Sequence, residues 1–312
     1  MIKTNPDNHH FRNKTGWANG FKSGYVAIVG APNVGKSTLL NRILGEKISI
    51  TSKKPQTTRN RIIGILHRPF SQMVFIDTPG VHPAEGIFNL RMVDAAFSAF
   101  PDADILLLVA DVSKANPNSE QVLIKTLKKS KKPAILALNK IDLVEEATVF
   151  AAIERWKTAH SFFAIIPVTA RHGTGIEKIL NAIESHLRTG PPYFPEEYLT
   201  DMPQRFIVAE IIREQAFRFT GQEIPYSIAV TVDSFTEDEN RSLVSVYATI
   251  HVERDSQKGI VIGKNGQKLK KIGEVARKEI ERILGTKVFL KLFVRVQKNW
   301  TKDSKALQKF GY

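Results

Sequence analysis

The fold is predicted from the stretch Tyr25-Val-Ala-Ile-Val-Gly30-Ala-Pro-Asn-Val-Gly35-Lys36-Ser37-Thr-Leu-Leu-Asn-Arg-Ile-Leu44. Its first part is an apolar run typical of a buried strand, and the residues from Thr38 onward read as a helix. Between them lies G-x-x-x-x-G-K-S, a phosphate-loop pattern whose weight depends on that strand and helix context. Both flanks agree, so the sequence predicts a nucleotide phosphate site at the end of a strand.

The residue types of this loop suit phosphate groups. Glycines let the backbone curve so that successive N–H groups point inward, and the start of the helix adds partial positive charge. Lys36 can reach the β- and γ-phosphates, and the Ser37 hydroxyl can bind Mg²⁺. The expected phosphate contacts are Gly30, Ala31, Pro32, Asn33, Val34, Gly35, Lys36, Ser37 and Thr38.

A second apolar run, residues 72–76, leads into Asp77-Thr78-Pro79-Gly80, about forty residues beyond the loop. Here an aspartate can hold Mg²⁺ through water, and the Gly80 N–H can donate to the γ-phosphate. On its own this tetrapeptide is also a plausible turn. Following a phosphate loop, it predicts a segment that senses the γ-phosphate.

A third apolar run, residues 133–138, leads into Asn139-Lys140-Ile141-Asp142 and predicts which base is bound. Guanine offers two neighbouring N–H donors that one carboxylate accepts together, and adenine offers no such pair, so Asp142 would select GTP over ATP. Asn139 can bridge to the phosphate loop, and the Lys140 stem can lie along the base. The same tetrapeptide also occurs in ordinary exposed turns.

A fourth strand leads into Thr169-Ala170-Arg171, where a backbone N–H near Ala170 could meet the guanine O6. The four motifs follow four strands separated by helices. That order predicts a doubly wound, mostly parallel α/β sheet with GTP or GDP at the carboxyl ends of its strands.

The basic loop Thr51-Ser-Lys-Lys-Pro-Gln-Thr57-Thr58-Arg59 lies between the first two motifs. We expect Thr58 to be linked to the metal, with Thr57 as the alternative and a solvated basic loop as the structural competitor. The predicted metal set is thus Ser37, Thr58 and Asp77.

The predicted catalytic residues are Lys36, Thr58 and Gly80. Val81 stands where signalling GTPases usually carry a glutamine that orients the attacking water, and a valine cannot do so. Hydrolysis must then rely on metal and backbone positioning, on a group from a partner, or on a bound monovalent cation such as K⁺ with Asn33 as a ligand. Slow intrinsic turnover is expected.

The second half of the chain predicts a separate domain. The Pro-rich stretch from Thr189 to Pro195 is the candidate linker, followed by an amphipathic helix over 203–219. Two alternating segments, 224–235 and 243–253, predict a hairpin, and a basic helix (267–284) and a strand (287–296) close the pattern. The expected parts are a polar tail (1–22), a nucleotide domain (23–188), a linker (189–202) and a C-terminal domain (203–312).

The run Ile260-Val-Ile-Gly263-Lys264-Asn265-Gly266 places G-x-x-G, with a lysine inside it, before a helix. This is the pattern of a KH RNA-binding module of type II, an α+β fold in which the glycines let the chain approach a sugar–phosphate backbone. A hairpin turn at Asn-Gly is the alternative. The expected RNA contacts are Ile260, Ile262, Gly263, Lys264, Asn265, Gly266, Lys268, Lys270 and Lys271.

Composition agrees with a polyanionic partner. The formal net charge is +14, and residues 258–312 hold fifteen Lys and Arg against four acids, although a basic tail can also be merely solubilising. There is no cysteine, which excludes disulfides and thiolate chemistry. The N-terminus lacks the apolar core of a signal peptide, and the run 105–110 is far shorter than a membrane span. A cytoplasmic protein is expected.

In their order, these motifs resemble the Era family of bacterial GTPases over nearly all of the chain apart from its N-terminal tail. The resemblance rests on Gly30–Ser37, Gln56–Arg59, Asp77–Gly80, Asn139–Asp142, Thr169-Ala170 and Ile260–Gly266. Thr169 departs from the usual serine, which leaves the backbone role of Ala170 intact. A single phosphate loop and the lack of a C-terminal cysteine disfavour the relatives with tandem GTPase domains and the tRNA-modifying relatives.

The resemblance implies GTP hydrolysis, binding of the 3′ end of 16S rRNA through the KH domain under control of nucleotide state, and maturation of the 30S subunit. It also implies a peripheral inner-membrane pool, and we expect a monomer. Two alternatives remain open on the sequence: a membrane-associated signalling GTPase with a lipid-binding basic tail, and a constitutive RNA-binding module with an inactive GTPase remnant.

Overall fold

The N-terminal domain is a seven-stranded sheet with helices on both faces, seen in a computed structural model that describes residues 20–51, 58–82, 87–221, 224 and 228–312. Its elements are β1 (Lys22–Val29), α1 (Lys36–Leu44), β2 (Ile62–Arg68), β3 (Ser71–Asp77), α2 (Ile87–Phe97), α3 (Ala99–Asp102), β4 (Ile105–Asp111), α4 (Pro117–Ser130), β5 (Ala134–Asn139), α5 (Glu146–Ala159), β6 (Ala164–Val168), α6 (Ile176–His186) and β7 (Arg188–Thr189).

The strands lie in the order β2-β3-β1-β4-β5-β6, and β7 pairs with the start of β1. The five strands from β3 to β6 are parallel, whereas β2 and β7 run antiparallel to their neighbours. Buried residues of β1 alternate between two cores: Val26 and Ile28 face one, Ala27 and Val29 the other. Helices cover both faces, which explains why the strands are apolar throughout. The predicted doubly wound, mostly parallel sheet is confirmed.

The C-terminal domain is a three-stranded sheet with most of its helices on one face. Its elements are α7 (Gln204–Phe219), β8 (Ala229–Asp238), β9 (Leu243–Val252), α8 (Asp255–Ile262), α9 (Gln267–Leu284), β10 (Lys287–Val296) and α10 (Ser304–Lys309). The strand order is β10-β9-β8, with β8 and β9 as an antiparallel hairpin and β10 parallel to β9. Apolar side chains of α7 and α9 form its core with the inner face of the sheet.

Most elements predicted for this domain lie where the sequence indicated, and α9 and β10 match their predicted bounds. The first hairpin strand was predicted too early, at 224, because strand β8 begins at Ala229. The apolar run at 260–262 forms the last turn of helix α8, where Val261 is buried in the core. Helix α10 had no counterpart in the prediction.

Two predicted domain limits also need correction. Strand β1 begins at Lys22 and Phe21 is already buried, so the folded part starts before residue 23; residues 1–19 lie outside the described residues. The predicted linker is bound along the N-terminal domain. The Tyr193 ring stacks on Tyr25 with centroids 5.0 Å apart, and the Thr200 hydroxyl donates to the Ile63 carbonyl at 2.6 Å.

The end of the chain packs into the protein rather than forming a solubilising tail. Trp300 is fully buried, with Leu307 and Phe310 beside it. The same cluster includes Phe88 and Met92 of α2, so the C-terminal segment joins the two domains. Within the described ranges, no helix combines the length and the apolar character needed to cross a membrane.

His251 lies under this C-terminal segment on the outer face of the sheet. Its Nε2 is 2.9 Å from the Thr231 hydroxyl, and the Phe310 ring centroid is 4.6 Å from its own. Burial lowers the pKa of His251 to about 4; Asp233 opposes this shift, and Arg295 and Lys309 reinforce it. The folded protein therefore holds this imidazole neutral at neutral pH.

Because the folded pKa lies below the unfolded value of about 6.5, the unfolded chain binds the proton first and stability falls as pH drops from about 6.5 to 4. The unfolding free energy of the wild type should fall between pH 7 and pH 4.5. In His251→Gln we expect that fall to be smaller by up to about 2 kcal/mol. Urea unfolding at both pH values measures it. An equal loss in both proteins would contradict the assignment.

Candidate functional site

The phosphate loop connects β1 to α1 at the carboxyl end of the sheet, and two of its glycines have no room for a side chain. A Cβ on Gly30 would lie 2.4 Å from the Val109 carbonyl oxygen. Gly35 has a φ of 103°, and a Cβ there would lie 2.2 Å from Asn139 Nδ2. The loop is therefore pressed against β4 and the third motif, which gives its backbone one shape.

Lys36 is folded back onto this loop and buried. Its ammonium donates to the carbonyl oxygens of Gly30 at 3.2 Å and Ala31 at 2.9 Å. Burial lowers its pKa to about 8, and the charge of Asp77 acts in the opposite direction. The Lys36 ammonium is thus a buried cation whose acceptors are neutral carbonyl oxygens. Such a cation is suited to bind the negative charge of a phosphate held in the same loop.

The three residues predicted to hold the metal meet at one point. The Ser37 hydroxyl is 2.7 Å from Asp77 Oδ2 and 2.7 Å from the Thr58 hydroxyl, which lies 3.5 Å from the same carboxylate oxygen. Thr58 and Asp77 are buried. Thr57, the alternative to Thr58, lies outside the described residues.

This cluster fits Mg²⁺. It presents hydroxyl and carboxylate oxygens, which are the hard ligands that Mg²⁺ prefers. Asp77 Oδ1 is buried and has no hydrogen-bond partner among the described residues. Burial raises the pKa of Asp77, while Lys36 and three hydroxyl donors lower it. A divalent cation beside this carboxylate would favour its charged form further.

The third of those donors, Ser49, was missed by the sequence analysis. Its hydroxyl donates to Asp77 Oδ2 at 2.9 Å, and its backbone N–H donates to Asn41 Oδ1 at 3.0 Å. Ser49 is fully buried. A serine between two isoleucines carries no recognisable signal in one sequence, because only the folded chain brings it to Asp77.

The segment 77–80 presses on the phosphate loop. A Cβ on Gly80 would lie 2.7 Å from Pro32 Cα, so only glycine permits this approach. Thr78 turns inward and donates to the Ile28 carbonyl at 2.8 Å. Val81 is fully buried in the core, and its N–H donates to the Gly30 carbonyl at 3.0 Å. The residue at the usual glutamine position is thus a core side chain.

The third motif is bound to its neighbours by Asn139. Its Nδ2 donates to the Val34 carbonyl at 2.7 Å, and its Oδ1 accepts the Ala170 N–H at 2.9 Å. The bridge to the phosphate loop is as expected. The Asn139 side chain thus joins the phosphate loop to the fourth motif. The predicted contact between a backbone N–H near Ala170 and the guanine O6 stays a prediction.

Lys140 and Asp142 lie at the outer end of the same edge. The Lys140 ammonium donates to the Asn33 carbonyl at 2.9 Å and pairs with Asp111. Asp142 lies at the cavity wall, with His172 Nε2 4.0 Å from its Oδ2. The charged pair places the Lys140 stem alongside the space above Asn33.

A cavity of about 640 Å³ runs between the two ends. Its wall comprises Pro32, Asn33, Gly35, Lys36, Ser37, Thr38, Ile50, Thr51, Thr58, Gly80, Asn139, Lys140, Asp142, Leu143, Thr169, Ala170 and Arg171. Other predicted residues support this wall without lining it: Gly30, Ala31, Val34, Asp77, Thr78 and Pro79. The sequence analysis did not assign Ile50, Thr51 or Leu143 to the cavity.

The G-x-x-G loop joins α8 to α9 and is not a hairpin turn, so that alternative is wrong. Gly263, Asn265 and Gly266 have φ values of 71°, 52° and 75°. A Cβ on Gly263 would lie 2.7 Å from Lys268 Cβ, whereas one on Gly266 meets nothing within 4 Å. The loop is tight on its inner side and open on its outer side.

The predicted RNA contacts are distributed around this loop in two groups. Lys264, Asn265, Lys270 and Lys271 are exposed, and Lys271 lies 3.7 Å from Glu274. The other five are half-buried at the loop and the two helix ends: Ile260, Ile262, Gly263, Gly266 and Lys268. The arrangement presents cations outside and apolar side chains beneath them.

Arg59 directly follows Thr58 and was assigned no role by the sequence analysis. Its buried guanidinium donates to the Ile228 carbonyl at 2.8 Å and the Tyr312 hydroxyl at 3.2 Å. Four aromatic rings surround it, with centroids 5.0 to 5.8 Å from its Cζ: Phe88, Phe217, Trp300 and Tyr312. The loop near the metal cluster is thereby inserted into the C-terminal domain.

The other end of that loop is also bound to the C-terminal domain. The Thr51 backbone N–H and hydroxyl both donate to Glu214 Oε1 at 3.3 Å. Lys47 forms ion pairs with Glu214 on α7 at 2.5 Å and Glu279 on α9 at 2.6 Å. Contacts to the C-terminal domain therefore flank residues 52–57 on both sides.

Comparison with known proteins agrees with both domains. A family model described as a 50S ribosome-binding GTPase matches residues 25–140, and a KH domain model matches residues 223–301. The GTPase Era of Geobacter metallireducens is 53% identical over 294 residues, covering 94% of this chain and 99% of its own. That of Geobacter sp. is 54% identical over 293 residues, with 94% and 98% covered. The chain belongs to the Era family of GTPases.

Two solved Era structures share the whole architecture. One is Era in complex with MgGDPNP and nucleotides 1506–1542 of 16S ribosomal RNA; the other is a point variant of Aquifex aeolicus Era bound to GDP·AlF4⁻. Each is 38% identical to this chain, superposes with a TM-score of 0.90, and covers 94% of this chain and 99% of its own. This protein is thus a GTPase with a C-terminal KH domain.

The position of Asp142 predicts base selection. The substitution Asp142→Asn replaces two acceptor oxygens by one acceptor and one donor. This side chain no longer matches the two donors of guanine, but it matches xanthine, which has a carbonyl in place of the 2-amino group. We expect GTP affinity to fall by about 100-fold or more and XTP affinity to rise, as measured by calorimetric titration. Glu145→Gln, a nearby charge change outside the cavity wall, is the control. Unchanged preference for GTP would contradict the assignment.

Proposed function

We propose that this GTPase binds the 3′ end of 16S rRNA through its KH loop and assists maturation of the 30S subunit, with GTP controlling the binding. The RNA target is supported by the Era relative whose solved complex contains nucleotides 1506–1542 of 16S rRNA. The description of the broader family model refers to the 50S subunit. We propose the small subunit because 16S rRNA belongs to it.

The KH loop has the form that the proposal requires. Its open outer side at Gly266 and the exposed Lys264 give a sugar–phosphate backbone close access and a cation. The half-buried Ile260 and Ile262 provide an apolar floor for bases beside it. The remaining lysines, Lys268, Lys270 and Lys271, extend the positive charge along the first turns of α9.

Within the nucleotide site we propose these roles. Lys36 and the loop amides bind the phosphates, and Asp142, Asn139 and Lys140 fix the base. Ser37 and Thr58 would ligate Mg²⁺, with Asp77 beside them; bound Mg²⁺ would neutralise charge developing on the γ-phosphate. The Gly80 N–H would donate to that phosphate. Because Val81 is in the core, the attacking water would be positioned by the metal site and the backbone, by a group from a partner, or by a monovalent cation such as K⁺ with Asn33 as a ligand.

The single observation that carries control by GTP is the adjacency of Thr58 and Arg59. Thr58 contacts Ser37 and lies beside Asp77, and the next residue is inserted into aromatic rings that include Phe217, Trp300 and Tyr312. A change at the γ-phosphate that moves Thr58 must move Arg59, since consecutive Cα atoms are about 3.8 Å apart. RNA binding and nucleotide state are then linked reciprocally.

The same proposal includes a monomeric protein in the cytoplasm, with a peripheral inner-membrane pool as a further prediction. The alternative of an inactive GTPase remnant is disfavoured because Lys36, Ser37, Thr58 and Asp77 come together at one site. The lipid-binding alternative is disfavoured because the basic C-terminal segment folds around Trp300.

The test compares GTP hydrolysis with and without an RNA ending in the 16S 3′ sequence, in K⁺ and in Na⁺. We expect the matched RNA to raise kcat about fivefold or more, and K⁺ to exceed Na⁺. Lys264→Glu with Lys268→Glu should abolish the RNA effect because the KH loop loses its cations.

Lys128→Glu with Lys129→Glu on α4 makes the same charge change away from the KH loop and should keep the RNA effect. A scrambled RNA is the sequence control. If every RNA leaves the rate unchanged, coupling between the two domains is refuted, and the KH domain would be only an anchor.

A further inference from the structure

The outer face of the C-terminal sheet carries a second set of charged and aromatic residues, away from the KH loop. Along β10, alternate residues point to this face in the order Lys287, Phe289, Lys291, Phe293 and Arg295, and all five are exposed. Their neighbours along the strand, Val288 to Val296, pack into the core beneath. At about 3.3 Å per residue, the row is about 26 Å long.

The aromatic members form two exposed ring surfaces. Phe289 is 48% exposed and lies 6.0 Å, centroid to centroid, from Tyr247 on the neighbouring strand β9, which is 37% exposed. Phe293 is 45% exposed, with the Lys291 ammonium 5.5 Å from its ring centroid. We call Tyr247 and the five β10 residues the outer-face patch.

The charge of this patch is unbalanced. Strands β9 and β10 contain no Asp or Glu, and no ion pair joins Lys287, Lys291 or Arg295 to a carboxylate in the part of the chain that the structure describes. Two acids of β8 have other partners: Asp233 accepts hydrogen bonds from Thr231 and Thr249, and Asp238 lies 3.6 Å from Arg241. Three cations therefore face solvent: Lys291 lies between the two phenylalanine rings, and Lys287 and Arg295 lie at the two ends of the row.

The C-terminal segment covers one end of the same face and leaves the patch open. His251 and Thr249 are buried there, with Phe310 packed on the imidazole. Tyr247, two residues before Thr249, is exposed. The segment thus buries Thr249 and His251 of β9, whereas Phe293 and Arg295, their register partners on β10, remain exposed.

Protection of an edge strand does not account for this pattern. Lysines on an edge strand hinder pairing with other chains, but exposed phenylalanines on the same face favour association and counteract that protection. Rings and cations in alternation at about 6.6 Å spacing are instead suited to a chain that carries both flat apolar groups and regularly spaced negative charges.

We propose that the outer-face patch is a second RNA-binding surface, which takes a single-stranded segment by stacking bases on Phe289 and Phe293 and neutralising phosphates with the three cations. The proposal rests on the RNA-binding function above and extends it from the KH loop to a longer RNA. Lipid and a second copy of the chain are less suited, since neither presents stacked rings between evenly spaced anions.

The test measures binding of two mixed-sequence single-stranded RNAs to the full-length protein by fluorescence anisotropy. One has about five nucleotides, close to what a KH loop clamps, and one about 25. We expect Phe289→Ala with Phe293→Ala to weaken the long RNA about tenfold or more, because each ring loses a stacked base, and to leave the short RNA unchanged.

Matched variants separate stacking from general effects. Phe289→Tyr with Phe293→Tyr keeps both rings and should bind as wild type, and Phe150→Ala, an exposed aromatic on α5, should have no effect. Changing Lys287, Lys291 and Arg295 to Gln should reduce the slope of log K against log salt for the long RNA by about 2.

The outcomes are distinct. If the alanine variant binds the long RNA as wild type does, the patch proposal is overturned. If it instead lowers co-sedimentation with phosphatidylglycerol vesicles, or abolishes dimer formation, while RNA binding is unchanged, the patch serves lipid or self-association and the proposal is equally overturned. Failure of the proposed function would show separately, as Lys264→Glu with Lys268→Glu leaving the short RNA unaffected.

Discussion

The insertion of the Arg59 guanidinium among aromatic rings is the contact on which the relation between the two domains depends. The cation is buried, its N–H groups reach the Ile228 carbonyl and the Tyr312 hydroxyl, and ring faces from both domains surround it. Withdrawing it into the loop would leave an apolar cavity and an unpaired carbonyl behind, and both would cost free energy.

Two segments lead into this cluster: the loop with Thr58, predicted to be linked to the metal, and the segment with Gly80, predicted to sense the γ-phosphate. The loop with Thr58 enters it through Arg59. The segment with Gly80 continues, beyond residues 83–86, into α2, whose Phe88 lies edge-on to Trp300 with centroids 5.9 Å apart. The C-terminal segment from Trp300 to Tyr312 therefore contacts both Arg59, which follows Thr58, and Phe88 of α2. Its position, rather than its net charge, links the GTPase to the RNA-binding domain.

Much of this architecture was predictable from the sequence because the relevant signals are local. Gly30, Gly35 and Lys36 were predicted from phosphate chemistry and Asp142 from the donor pattern of guanine. Gly35, Lys36 and Asp142 do line one cavity, and their contacts with the nucleotide stay predictions. The regular alternation of β10 and the helical period of α9 likewise gave correct bounds. Such signals need no knowledge of distant contacts.

What was missed depends on contacts between residues far apart in the chain. Ser49 reaches Asp77, and Arg59 reaches Tyr312, 253 residues away. The charge count in residues 258–312 indicated a polyanion correctly but concealed the apolar residues that anchor the same segment. The hydrogen bond from the Ala170 N–H to the Asn139 side chain was also not predicted, since the relative position of two loops cannot be read from one motif.

The most direct test of the account is the RNA affinity of the GDP-bound and GDPNP-bound protein, measured for wild type and Arg59→Ala. Arg61→Ala is the matched control, because Arg61 pairs with Asp102 within the N-terminal domain. The account predicts that affinity differs about fivefold or more between nucleotide states in wild type and in the control, and that the difference disappears in Arg59→Ala. An undiminished difference in Arg59→Ala would contradict it.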